Sequence, residues 1–121
     1  MICLHHSDLD GHASAAIVRR KFPECEFISI NYGDNVPWDR IKDQDIVMVD
    51  FSLQPFSDMI RLRKESKSFI WIDHHKTAIQ EYEANKEEFT WGVKGHHLAI
   101  TYDITHAGCE LTWQHFFPKE A

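Results

Sequence analysis

The sequence predicts an α/β domain with a mainly parallel sheet flanked by helices, and three observations carry that expectation. Short apolar runs alternate with longer amphipathic stretches, the pattern of strands connected through helices. Two runs, Ile46-Val47-Met48-Val49 and Phe69-Ile70-Trp71-Ile72, are apolar at every position, as in strands covered on both faces. A length of 121 residues with 43% hydrophobic side chains suits one domain, 1–121, with one ordinary core.

Taken in order, Ile2-Cys3-Leu4-His5 forms a first strand that meets an acidic loop from Ser7 to Gly11. A helix follows over Ala13–Lys21, with Ala13, Ala16 and Ile17 on its apolar face. The basic run Arg19-Arg20-Lys21 suits a helix C-terminus, and Pro23 stops it. Glu26–Tyr32 reads as a strand, residues 33–37 as a loop, and Asp45–Phe51 as a strand bounded by acids. Pro55–Lys67 is helical, with Phe56, Met59, Ile60 and Arg63 on one face. Ser68–Asp73 is a further strand and Thr77–Lys86 a polar, exposed helix. Leu98–Tyr102 is a weaker strand, and Ala107–Phe117 is a last helix ended by Pro118. The chain contains no internal repeat, low-complexity tract or linker.

Charge and cysteine usage narrow the function classes. With 19 acidic and 13 basic residues the net charge is −6, which argues against a coat on duplex nucleic acid, where Lys and Arg neutralise phosphates. A small phosphorylated substrate stays open, because bound divalent cations reverse the local field. Cys3, Cys25 and Cys109 are odd in number and widely spaced, which predicts reduced thiols and a cytoplasmic protein. The N-terminus is too short and polar for a signal segment, and no run reaches the length of a membrane span.

The chemistry gathers at strand ends. Leu4 leads into His5-His6-Ser7-Asp8-Leu9-Asp10, Val49 into Asp50, and Ile72 into Asp73-His74-His75. Parallel strands share one carboxyl edge, so neighbouring strands would bring four carboxylates and up to four imidazoles into one crevice. Such a cluster repels itself unless divalent cations neutralise it. Carboxylate and imidazole without thiolate suit Mn²⁺ or Zn²⁺ better than Ca²⁺, with Mg²⁺ open where oxygens dominate. Two cations about 3.5–4 Å apart would clamp a phosphoryl group and turn a bridging water into a hydroxide nucleophile. Each strand end by itself has a simpler reading: Asp10 as a helix cap, His96-His97 and His115 as surface residues. Three in one short chain favour a metal site.

These residues resemble the motifs of the DHH phosphoesterase superfamily: His6-Ser7-Asp8-Leu9-Asp10-Gly11, then Val49-Asp50, then Asp73-His74-His75. The superfamily contains single-strand-specific exonucleases, oligoribonucleases, cyclic-dinucleotide phosphodiesterases, pyrophosphatases and exopolyphosphatases. The resemblance implies a DHH-type N-terminal domain with a two-metal site, Mn²⁺ foremost. His6 and Asp8 would bind the first metal, Asp10 and His74 the second, and Asp50 both. Asp73 would orient its neighbours or act as a weak ligand. His75 would face the substrate phosphate, stabilising charge or donating a proton. His5 is the alternative to His6, since adjacent strand residues point to opposite sides; the H-x-D-x-D spacing favours His6. The small-residue start at Ala107-Gly108-Cys109 resembles the superfamily helix that approaches the site, and close helix packing explains it equally well. His106, just before that helix, is a weaker candidate for the pocket.

Two departures follow from the same comparison. The superfamily's fourth motif, a further Asp after the small-residue helix, has no match, and Asp103 lies before that helix. Its second, Gly-rich and His-containing domain has no match either, so the expectation is a truncated part of a longer protein. Phosphodiester or phosphoanhydride hydrolysis is expected, on short single-stranded oligonucleotides or small phosphorylated nucleotide-like molecules. H-x-D-x-D looks more like the nuclease side than the pyrophosphatase or exopolyphosphatase side. A non-catalytic metal- or nucleotide-binding module is the alternative, and a flavodoxin-like binding domain is undercut by the lack of a phosphate loop after the first strand. Trp113, Phe116 and Phe117 would pack on a further domain, on a second subunit in a homodimer, or within an ordinary core.

Overall fold

In the computed structural model, residues 1–90 and 98–120 are described. Five strands form one sheet: β1 (Ile2–His5), β2 (Glu26–Ser29), β3 (Asp45–Val49), β4 (Ser68–Asp73) and β5 (Leu98–Tyr102). Six helices accompany them: α1 (Leu9–Lys21), α2 (Trp38–Ile41), α3 (Phe56–Glu65), α4 (Lys76–Ala84), α5 (Lys86–Thr90) and α6 (Gly108–Phe116). The strand order is β2-β1-β3-β4-β5 and every pair is parallel. The expected α/β class with a parallel sheet flanked by helices is the architecture found.

Both faces of the sheet are covered, and the strands divide their side chains between them with period two. Ile2, Leu4, Ile46, Met48, Phe69 and Trp71 join one core with Ile41, Met59, Tyr82 and Phe89 from α2, α3, α4 and α5. Cys3, Val47, Val49 and Ile72 join the other with Val18 of α1 and Leu111 and Phe116 of α6. Ile46 through Val49 are all buried, as the unbroken apolar run demands.

Several expectations about individual elements need correction. Helix α1 starts at Leu9, so Asp8 is its N-cap and accepts the Gly11 N–H at 2.7 Å, while Asp10 sits in the first turn. Its buried face is Gly11, Ser14, Ala15 and Val18, not Ala13, Ala16 and Ile17. The helix is turned so that Gly11, Ser14, Ala15 and Val18 meet the sheet and α6, and Val18 joins the core there. α4 is not wholly exposed: Ala78 and Tyr82 are buried in the core. Two short helices, α2 and α5, were not expected, and α5 carries the buried Phe89. Strand β3 stops at Val49, two residues short of Phe51, because Asp50 takes φ 56°. Phe116 belongs to the second core, and Trp113 stacks on Phe117 at 4.6 Å beneath the Arg20 guanidinium. His115 is half-buried with Nδ1 3.1 Å from Thr101 Oγ1, so it packs rather than facing solvent. His96-His97 lies outside the described residues.

Among the described residues no helix is long and apolar enough to cross a membrane. The three cysteines are free.

Trp71 ties the core to the strand end that matters below: its ring is buried and its Nε1–H donates to Phe51 O at 2.9 Å. Trp71→Ala is expected to cost about 3–5 kcal/mol in urea unfolding. Trp71→Phe keeps most of the packing, leaves the Phe51 carbonyl without its donor, and should cost about 1–3 kcal/mol.

Candidate metal centre

The parallel register sets His5, Val49 and Ile72 side by side, so the residues that follow them emerge at one edge. In the order 2-1-3-4-5 the chain reverses direction across the sheet between β1 and β3, and ligands bind at that point. His6 and Asp8 come from the turn after β1, Asp50 from the turn after β3, and Asp73, His74 and His75 from the end of β4.

Two groups of ligand atoms result. His6, Asp8 and Asp50 place one donor atom each within 4.8 Å of one another. Asp50, Asp73, His74 and His75 do the same. Asp50 belongs to both. Its carboxylate is 1% exposed, its Oδ1 lies 2.8 Å from His74 Nε2, and its Oδ2 is buried with no hydrogen-bond partner. Burial, then the neighbouring Asp8 and Asp10 carboxylates, push its pKa up to about 8.

Asp73 is also 1% exposed. Its Oδ1 accepts the His74 N–H at 2.8 Å and lies 2.6 Å from His75 Nδ1, while its Oδ2 is buried and unpartnered. The hydrogen bond to Asp73 raises the His75 pKa above its ordinary value, outweighing burial. His75 is thereby held with Nδ1–H toward Asp73, a proton position assigned from this bond. His6 Nδ1 lies 3.1 Å from Asp8 Oδ2 yet is out of line for a hydrogen bond. Burial opposes ionisation of Asp8, but the Gly11 N–H and its Asp50 and His6 neighbours hold its pKa below the ordinary value.

Asp10 stands apart from both groups. Its Oδ2 is 3.4 Å from His74 Nε2, but its two oxygens accept the N–H groups of Gly108 and Cys109, each at 2.8 Å. It thus caps α6 from α1, a carboxylate at a helix N-terminus. Burial resists its ionisation and these donors overcome it, lowering the pKa. A carboxylate oxygen has a second lone pair, so the cap leaves Asp10 able to face a cation beside His74.

Two glycines set the spacing. A Cβ on Gly108 would lie 2.9 Å from Asp50 Oδ1, 3.0 Å from Asp50 Cβ and 3.2 Å from Asp10 Oδ2. A Cβ on Gly11 would collide with the His6 carbonyl and come within 2.9 Å of His6 Cβ. The small-residue start of α6 is therefore a device for close approach to the site.

The remaining candidates fall elsewhere. His5 turns to the α1 face, its ring 5.3 Å from that of His12, with Nδ1–H donating to His6 O at 2.9 Å. His106 lies 2.9 Å from Asp103 Oδ2, and Asp103 caps Thr105; neither enters the two groups. Phe51 and Tyr32 were missed by sequence reasoning: their rings lie 5.5 and 5.9 Å from that of His6. The only hint was position, Phe51 directly after Asp50 and Tyr32 at the end of an apolar run.

The Asp50 Oδ2, Asp73 Oδ2 and His6 Nδ1 atoms, buried and without a hydrogen-bond partner among the described residues, fit divalent cations, which would satisfy them. The donor set, carboxylate and imidazole without thiolate, is that of Mn²⁺, Zn²⁺ or Mg²⁺.

Comparison with known proteins agrees with this arrangement. The family model described as "DHH family, N-terminal domain" matches residues 1–118. An uncharacterized protein, R106, of Acanthamoeba polyphaga mimivirus is 29% identical over 82 residues. The aligned segment covers 68% of this chain and 17% of that relative. No solved structure matches the chain.

Gly108→Ala should cost about 1–3 kcal/mol in thermal or urea unfolding, and Gly11→Ala more, because backbone rather than a side chain must yield. The raised Asp50 pKa fixes a second expectation. Folded metal-free protein keeps a proton that the unfolded chain has released, so its stability falls as pH rises from about 4 to about 8. His5 and His115, lowered by burial, contribute a slope of opposite sign. The decisive quantity is therefore the difference in melting temperature between the unchanged chain and Asp50→Asn, which should grow with pH.

Proposed function

This chain belongs to the DHH family, and from that premise we propose that it hydrolyses phosphodiester or phosphoanhydride bonds in oligonucleotide or nucleotide-like substrates. The family is metal-dependent and its chemistry is of phosphoesterase type; the substrate class and the two-cation mechanism are our reading. The observation that carries it is Asp50, one buried carboxylate common to two groups of ligand atoms. A two-cation mechanism needs no Ser or Cys nucleophile, so in this reading the attacking group is water.

Bound at this edge, two divalent cations, Mn²⁺ by preference, supply Lewis acidity to the phosphoryl oxygens and lower the pKa of a water. His6 and Asp8 would hold one cation, His74 and Asp10 the other, and Asp50 would be common to both. Asp8 is fixed for that duty by the Gly11 N–H, and Asp10 by the first turn of α6. Asp73 holds His75 through Nδ1 and raises its pKa, which favours the imidazolium form, in which Nε2 also carries a proton. His75, with 37% of its side chain exposed, meets the substrate phosphate there. It stabilises the charge that grows on the phosphoryl oxygens and can donate a proton to the leaving oxygen.

Calorimetric titration with Mn²⁺, run beside assays on short oligoribonucleotides, a cyclic dinucleotide and pyrophosphate, tests the assignment. Asp50→Asn and His74→Ala should abolish turnover and weaken Mn²⁺ binding at least tenfold (about 10–100-fold for changes around a metal). His75→Asn should retain Mn²⁺ binding and lose about 10²–10⁴-fold in kcat. Undiminished turnover in Asp50→Asn would refute the reading, and tight Mn²⁺ binding without turnover of any of these substrates would identify a metal-binding module instead.

A further inference from the structure

Beside the metal-ligating groups, on the α3 side of the switch point, lies a cavity of about 230 Å³ between the turns after β2 and β3. We propose that this cavity is a nucleobase subsite that accepts guanine, the base of the nucleotide whose phosphate meets the candidate metal centre. The inference rests on the proposed function for the identity of that neighbouring phosphate.

Its walls are Tyr32 and Phe51, with Asn31, Asp34, Gln54 and Asp58 among the polar groups around it. Tyr32 and Phe51 pack at 4.7 Å between centroids, and both rings also lie against His6. The cavity and the first group of ligand atoms therefore share a wall. Tyr32 is 53% exposed, leaving an aromatic surface open for stacking, which every base can use. The volume is below that of drug-sized pockets, about 300–1,000 Å³, and suits a single heterocycle.

The polar groups choose among ligands. No Lys or Arg lines the cavity, while two carboxylates do, so a phosphate or carboxylate would be repelled there. A neutral, planar group with N–H donors along one edge is what two acceptors favour, and guanine presents such an edge at N1–H and the exocyclic amine. The loop is already built: Asn31 N–H donates to Asp34 Oδ2 at 2.8 Å, and Ser7 Oγ donates to Asn31 Oδ1 at 2.7 Å. Asp34 keeps its other oxygen, and Asp58, in the first turn of α3, makes no side-chain hydrogen bond among the described residues. Ser7 sits between His6 and Asp8, so the same hydrogen bond links the loop to the turn that carries two site residues.

The test compares guanosine 5′-monophosphate with ribose 5-phosphate by calorimetry on the Mn²⁺-loaded chain, and follows guanosine alone by amide resonances of residues 31–34. The nucleotide should bind about tenfold more tightly than the sugar phosphate, the scale of one stacked base. Tyr32→Leu and Asp58→Leu should each bring that ratio toward one. Equal affinities in the unchanged chain, or a ratio that survives both substitutions, would overturn the subsite. Guanosine shifting residues 31–34 while neither phosphorylated ligand gains from Mn²⁺ would keep the subsite and remove the phosphoesterase reading. Ribose 5-phosphate binding with Mn²⁺ while the base adds nothing would do the reverse.

Discussion

Everything distinctive about this edge of the sheet depends on one buried carboxylate. Asp50 is almost sealed from solvent, stands in the left-handed region at φ 56°, and keeps one oxygen without a partner. Each of these features costs free energy: backbone strain in that region is about 1–3 kcal/mol, and a desolvated acid resists ionisation. Asp tolerates left-handed backbone better than most residues, and the turn it makes is what ends β3 and aims the side chain into the switch point. A carboxylate kept at such cost is a group that a divalent cation at this edge would neutralise.

The rest of the molecule can be read as support for that position. β3 is the central strand, flanked by β1 and β4 and buried on both faces, so its end is held in place. Trp71 fastens the following residue through the Phe51 carbonyl. From the other layer, Asp10 reaches from α1 to cap α6, and Gly108 lets that helix end come into contact with Asp50. The helix N-terminus thereby adds fixed positive dipole beside a cluster of carboxylates. Asp73 divides its labour, one oxygen positioning His74 and His75 and the other left free. A site of this kind is preorganised before any substrate arrives.

Much of this was legible in the sequence. The doubly covered strands announced themselves as apolar runs, and three ionisable strand ends told which edge would carry chemistry. Asp50 marked a strand end, but nothing in Val49-Asp50-Phe51 encodes the left-handed backbone by which it leaves the strand. The buried face of α1 was misjudged because its contacts are made by Gly11, Ser14 and Ala15, residues that weigh little in any hydrophobic pattern yet fit a close helix–sheet approach. α5 hid because its one core residue, Phe89, stands among charges. The cap that Asp10 places on α6 joins residues about a hundred positions apart, which no local pattern encodes. The family match over residues 1–118 gives the chain its family.

Anomalous diffraction from crystals grown with Mn²⁺ is the most direct measurement of the central claim. Two peaks about 3.5–4 Å apart are expected, with Asp50 touching both, His6 and Asp8 on one and His74 on the other. A single peak, or two peaks of which either lies beyond the reach of Asp50, would contradict it.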